Sequence, residues 1–175
     1  MVAGGPERTK RSKCPKNLYR LTISYFTQRT AVLSKNSLRT EKAISRGCPQ
    51  ESCCGPGFWN LQFNSLLQLK FMASTKVVAY ADDLLIATRV DSIRAVENYA
   101  NVEISKINEW SRRNKIKFND EKHKAILVTR RKRMEDIDIT IYLHFKPLEQ
   151  VTQMKYLGII FDQKFKFQEH IRYAA

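Results

Sequence analysis

The sequence predicts an α+β domain with helices on one face of an antiparallel sheet, and three observations carry that reading. The stretch VVAYADDLLIAT (77–88) sets two β-favouring runs on either side of a short polar break, which is the pattern of a hairpin. IDITIYLHF (137–145) alternates apolar and polar residues, the period of a half-buried strand. Residues 58–70 and 91–113 instead repeat apolar side chains at three- and four-residue steps, the period of helices that bury one face. With 175 residues and 43% hydrophobic content, the chain has material for one domain with a real core.

Taken in order, residues 1–16 are glycine, proline and charge, so a disordered basic leader is expected. The apolar groups of residues 18–45 suit a short helix followed by one or two strands. Gly47 to Gly57 holds three glycines and two prolines and must turn. A helix should follow near Gly57, with Phe58, Leu61, Ser65 and Leu69, and beside them Trp59, Phe63, Leu66 and Lys70, recurring over about four turns. After the hairpin, Asp91 starts a second helix whose apolar face is Ile93, Val96, Ala100, Ile104, Ile107 and Trp110. Arg112 and Arg113 stand at its C-terminal end, where cations suit the helix dipole. KIKF, NDEKHK and AILVT read as strand, turn and strand. RRKR (130–133) is a basic loop, either a connector or a nuclear-import patch. MKYLGIIFD reads as a strand and FQEHIRYAA as the beginning of a helix; no internal repeat is apparent.

Charge narrows the partners. The chain carries 31 Lys and Arg against 17 Asp and Glu, net +14, and its first 46 residues hold eleven of those cations with only two glutamates. Polyanions are the partners such a balance favours. The four cysteines, at 14, 48, 53 and 54, lack the paired spacing of a zinc site and read as reduced thiols. No apolar run is long enough to span a bilayer and the start has no secretory core, so a soluble intracellular protein of the nucleus or cytoplasm is expected, with no membrane partner.

The adjacent aspartates, Asp82 and Asp83, ask for an explanation, because carboxylates in an apolar run are costly and repel each other. At a hairpin tip they would seat a hard divalent cation, which takes oxygen ligands and shares them with substrate phosphates. Two solvated turn residues are the plain alternative. A phosphoacceptor receiver also ends a strand in acidic residues, but there a loop and helix follow; here a second apolar strand, LLIAT, follows at once.

RGCPQESCCGPGFWNLQFNSLL, VVAYADDLLIA, KFNDEKHKAILV and KYLGIIFDQKFKFQEHI, in that order, resemble the reverse transcriptase of non-LTR, LINE-type retrotransposons. The resemblance implies a polymerase palm, a ferredoxin-like antiparallel sheet with helices on one face, together with partial fingers and the start of a thumb. It places fingers or palm remnant at 17–50, palm at 51–165 and the first thumb turns at 166–175. It implies two-metal transfer of a deoxynucleotide to a primer 3′ hydroxyl, with Mg2+ as cofactor and Mn2+ as a substitute. The implied partners are an RNA template, a DNA primer and dNTP, while the oligomeric state stays open. Asp82 resembles the metal-binding aspartate and Asp83 its less critical neighbour, with Tyr80 and Ala81 lining the primer end. Arg46, Pro49, Gln50 and Glu51 resemble the nucleotide-positioning loop, and Lys122 a lysine that approaches the triphosphate. Tyr156, Leu157 and Gly158 resemble the hairpin that grips the primer. Read without the resemblance, Lys122 is an ordinary turn lysine, and Tyr156 and Leu157 are sheet packing.

Two departures stand against the family pattern. Glu51 occupies the place of a glycine, adding bulk and negative charge beside a triphosphate, which predicts weak nucleotide binding. The strand that would carry a second metal-binding aspartate precedes the nucleotide loop, yet only Glu7 and Glu41 lie ahead of Arg46 as acidic residues. The chain is therefore expected to be a truncated piece of a mobile-element polymerase. The alternative to an enzyme is a non-catalytic relic that binds nucleic acid through its basic segments.

Overall fold

The computed structural model describes residues 14–44, 52–119, 121–129 and 137–174. The chain divides into two compact units, one made of Met1–Phe71, Lys76–Ile86 and Trp110–Ile116, the other of Met72–Thr75, Ala87–Glu109 and Lys117–Ala175.

The first unit opens with helix α1 (Lys16–Phe26). Pro15 precedes its first turn, where a missing N–H is harmless, and the extended backbone of Thr27 ends it. Thr22 and Phe26, four residues apart, form its buried face. Tyr25 and Phe26 meet the ring of Phe58 at 5.5 and 4.8 Å. An antiparallel ribbon follows, β1 (Thr30–Lys35) paired with β2 (Leu38–Ala43), exposed at every position. Its turn uses Asn36 at φ 55, a left-handed conformation that asparagine tolerates. The helix expected between residues 18 and 45 is thus present, and of the one or two strands expected after it there are two.

Helix α2 (Gly55–Leu67) carries proline in its first turn and buries Gln62, Phe63 and Leu66. It stops short of Leu69 and Lys70, because Leu69 N–H turns back to Leu66 O and tightens the last turn. β3 (Thr75–Tyr80) and β4 (Asp83–Thr88) then pair across a two-residue link, which makes them the expected hairpin.

Helix α3 (Ile93–Asn114) begins one residue after Ser92, whose hydroxyl accepts the Ala95 N–H at 3.1 Å; serine rather than Asp91 provides the cap. Arg112 and Arg113 occupy its last turn as the sequence indicated. In the second unit it buries Ala100, Glu103, Ile104 and Ile107. Glu103 is fully buried, accepts the Met72 N–H at 2.9 Å and pairs with Lys106 Nζ at 2.8 Å. The chain entering β3 is thereby tied to α3.

The remaining second unit corrects several expectations. KIKF is not a strand, and of AILVT only the alanine is laddered: β5 is Lys124–Ala125, parallel to β8 (Glu149–Gln150). IDITIYLHF does alternate, with Ile139, Ile141 and Leu143 buried and Asp138, Thr140 and Tyr142 exposed. Yet it is laddered only at β6 (Tyr142–Leu143), against β7 (Lys146–Pro147). Side-chain amides take the place of a neighbouring strand. Asn101 donates to Thr140 O and accepts from Tyr142 N–H, and Gln150 does the same for Ile137 and Ile139. MKYLGIIFD is two strands rather than one, β9 (Gln153–Tyr156) and β10 (Ile159–Asp162), antiparallel about a tight turn. Helix α4 (Gln168–Ala174) follows, as expected. The core of this unit is completed by Phe118, Ala125 and Leu127.

Among the described residues the strands make five separate two-stranded ladders, not the single antiparallel sheet expected. The architecture is mixed α+β. The basic leader up to residue 13, the nucleotide loop at 45–51 and the RRKR segment lie outside the described residues.

Candidate active site

The β3–β4 link is built from Ala81 and Asp82, and its first residue has φ 50. A two-residue hairpin with a left-handed first position normally takes glycine there, so the alanine is held against its preference. The indole N–H of Trp59, in α2, donates to the carbonyl of Ala81 at 2.7 Å. Trp59 in turn stacks on Phe63, with ring centres 5.1 Å apart and planes at 23°. Phe63 packs edge-on against Trp110 at 5.7 Å, and the Trp110 indole donates to Ser65 Oγ at 2.8 Å. An aromatic row within the first unit therefore ends on the peptide that precedes Asp82.

Asp82 and Asp83 both stand exposed at the tip, and Tyr80 is 65% exposed. Burial therefore imposes no large penalty on the acidic pair, contrary to the concern raised by the apolar run. The strands behind the tip are half-buried at Leu84, Leu85 and Ile86. A groove of about 430 Å³ runs beside it, walled by Gly57, Asn60, Leu61 and Asn64 of α2 and by Ala79 and Ala81 of the hairpin. Ala81 lines it, while the carboxylates of Asp82 and Asp83 do not. As a donor set they suit Mg2+ or Mn2+, hard ions that accept one or two carboxylates and keep their remaining ligands as water or phosphate. Among the described residues no group of three or more His, Cys, Asp and Glu side chains converges.

In the second unit, the β9–β10 turn is Leu157 and Gly158, at φ 48 and 85. Both central residues are left-handed, as the tightest hairpin turns require, and the glycine supplies that conformation without strain. Tyr156, Leu157 and Gly158 are therefore together at one tip, with Leu157 exposed. Lys122 is exposed in a turn closed by its own N–H on Asn119 O at 3.1 Å. Tyr80, Ala81, Asp82 and Asp83 belong to the first unit, while Lys122, Tyr156, Leu157 and Gly158 belong to the second. Arg46, Pro49, Gln50 and Glu51 lie outside the described residues.

Asp162 was not singled out by the sequence, yet it organises the exit from β10. Its carboxylate accepts the N–H groups of Lys164, Lys166 and Phe167 at 2.8, 3.2 and 2.7 Å, which stabilises the left-handed Phe165 and Phe167 ahead of α4. Burial opposes its ionisation, but those three donors and the Lys166 charge outweigh it and hold the carboxyl below its ordinary range. A carboxylate a few residues ahead of a helix was the available signal. Because the folded pKa is depressed, the stabilisation is present above the unfolded value of about 4 and disappears as pH falls through the folded one. The melting temperature of Asp162→Asn should therefore lie below wild type above about pH 5, and the gap should narrow as pH falls below about 4. A gap independent of pH would show that the carboxylate charge is not what holds this turn.

Trp59 falls on the helical period of Phe63 and Leu66, and nothing in its spacing marks its bond to Ala81. Glu103 did leave a signal: it is a charge set into the apolar stripe of Ala100, Ile104 and Ile107.

Residues 5–161 match the family described as reverse transcriptase (RNA-dependent DNA polymerase). The chain is similar to the retrovirus-related Pol polyprotein of type-1 retrotransposable element R1 from Nasonia vitripennis, 31% identical over 133 residues, covering 72% of this chain and 38% of that protein. The corresponding R1 polyprotein of Bradysia coprophila is 28% identical over 164 residues, covering 94% of this chain and 16% of the relative. The RNA-directed DNA polymerase from mobile element jockey of Drosophila melanogaster is 24% identical over 163 residues, covering 90% and 18% respectively. The chain thus spans between 16% and 38% of the length of these relatives. On a match over most of its length, the chain belongs to the reverse transcriptase (RNA-dependent DNA polymerase) family, of the kind carried by non-LTR retrotransposons.

Proposed function

We propose that this chain is the palm-bearing portion of an RNA-directed DNA polymerase, acting on a DNA primer paired to an RNA template with dNTP as second substrate. The observation that carries this reading is the placement of Asp82 directly after the constrained Ala81, exposed at a hairpin tip beside the α2 groove. On this reading Asp82 is the metal-holding carboxylate, Asp83 adds negative potential, and Tyr80 and Ala81 form the surface on which the primer terminus rests. A bound Mg2+ or Mn2+ would supply Lewis-acid stabilisation to the attacking and departing oxygens. Arg46, Pro49, Gln50 and Glu51 would frame the incoming nucleotide, and Lys122 would offer charge to its phosphates. The exposed turn of Tyr156, Leu157 and Gly158 would contact the primer backbone. Residues 17–50 would be the fingers or palm remnant, 51–165 the palm and 166–175 the first turns of the thumb. The protein would work inside the cell, in nucleus or cytoplasm.

The test is primer extension on an RNA template with Mg2+ or with Mn2+, compared with Asp82→Asn. Incorporation that the substitution removes supports the polymerase. Binding of template and primer with no incorporation in wild type favours a second reading, nucleic-acid binding without turnover.

That second reading has its own observation in the β1–β2 ribbon. The register pairs Ala31 with Lys42, Leu33 with Thr40 and Lys35 with Leu38, so these six residues share one face. On the opposite face Arg39 is neutralised by Glu41 at 2.6 Å. The ribbon therefore presents one cationic face, on which Leu33 and Leu38 are 74% and 77% exposed. If Lys35 and Lys42 each neutralise a phosphate, replacing both by Gln should lower the slope of log affinity against log salt by about 1.8 on duplex DNA. A slope unchanged by the double substitution would remove the ribbon from the nucleic-acid surface.

A further inference from the structure

We propose that Trp59 is the positioning residue of the acidic hairpin: its indole N–H, by holding the Ala81 carbonyl, fixes the peptide that presents Asp82 and so sets the affinity of the tip for a divalent cation. The proposal rests on the reading of Asp82 as a metal ligand.

The argument begins with the backbone. At φ 50 an alanine occupies a conformation that side chains resist, and it relaxes unless the surroundings hold it. The carbonyl of Ala81 belongs to the peptide that joins it to Asp82, so fixing that oxygen fixes the rotation of the peptide plane. The direction in which the Asp82 side chain leaves the backbone follows from that rotation. Trp59 reaches this oxygen at 2.7 Å, a short and well-formed contact.

The donor is itself braced. Stacking on Phe63 at 5.1 Å, and the edge contact of Phe63 with Trp110 at 5.7 Å, confine the indole to one orientation. The chemistry of indole suits the task, since it donates and cannot accept. Trp59 therefore cannot compete for the cation through its nitrogen, and the contact does not titrate in the physiological range. An effect on the metal passes through the hairpin that carries Asp82, which makes Trp59 a positioning residue and not a ligand.

The full chain holds two tryptophans, Trp59 and Trp110, so its two indole N–H resonances can be assigned with a Trp110→Phe variant. Trp110, bonded to Ser65, is the internal control. Mn2+ added in small increments should broaden the Trp59 resonance before the Trp110 resonance, and Asp82→Asn should abolish that preference. Trp59→Phe keeps an aromatic ring against Phe63 and deletes the N–H. It should weaken Mn2+ binding, read as free Mn2+ by electron paramagnetic resonance, by about fivefold, the equivalent of one ordinary hydrogen bond. Absence of preferential broadening in wild type would overturn the metal reading on which the proposal stands. Preferential broadening with Mn2+ affinity unchanged in Trp59→Phe would overturn the role of Trp59 and leave that reading intact. If Trp59→Phe does not fold, exchange of the indole N–H with deuterated water in wild type decides. Protection of about tenfold over a free indole supports the contact, and exchange at the free rate overturns it.

Discussion

On the polymerase reading proposed above, Asp82→Asn should lower primer extension by about a thousandfold, the scale on which removing a charge-stabilising group at a reacting centre acts. The substitution keeps size and shape but removes the negative charge a divalent cation needs. Asp83→Asn should cost less. Asp83 opens β4, one residue beyond the two-residue link that carries Asp82. Asp82 is the better placed, because it follows the peptide held by Trp59. Single-nucleotide incorporation with Mn2+ measures both variants. A loss in Asp83→Asn exceeding that in Asp82→Asn would reverse the assignment of the two carboxylates.

Glu103→Ala should destabilise the fold by about 3 kcal/mol, read from urea unfolding. The fully buried carboxylate satisfies the Met72 N–H and the Lys106 ammonium together. Its removal leaves the part-buried Met72 donor without this acceptor, while Lys106, 35% exposed, turns to solvent. Glu103→Gln retains an oxygen for Met72 and should cost about 1 kcal/mol. An alanine variant as stable as wild type would show that Met72 finds another acceptor. Met72 lies three residues before β3, so the same loss should loosen the chain leading to Asp82.

The elements that were legible in the sequence are those whose signal is local. The acidic hairpin could be read because β-favouring residues flank a break too short for anything but a turn. Helix α3 could be read because its apolar residues recur over many turns, long enough for periodicity to accumulate. The extended 137–143 stretch shows where this ends. Its alternation predicted which residues are buried, since burial follows the pleat, but not its bonding partners, which are the distant amides of Asn101 and Gln150. The β9–β10 turn was missed by pattern because Leu157 is an unusual occupant of a left-handed position, and the apolar run IIF conceals a break.

The candidate site divides in the same way. The identity of the acidic tip, its chemistry as an oxygen donor set and the order of the family blocks are properties of the linear sequence, because they depend on residue type and spacing alone. The bond from Trp59 to Ala81, the exposure of both carboxylates and the burial of Glu103 against Met72 were decided only by the tertiary structure. The two bonds depend on residues 22 and 31 positions apart meeting in space, and no local propensity encodes that meeting.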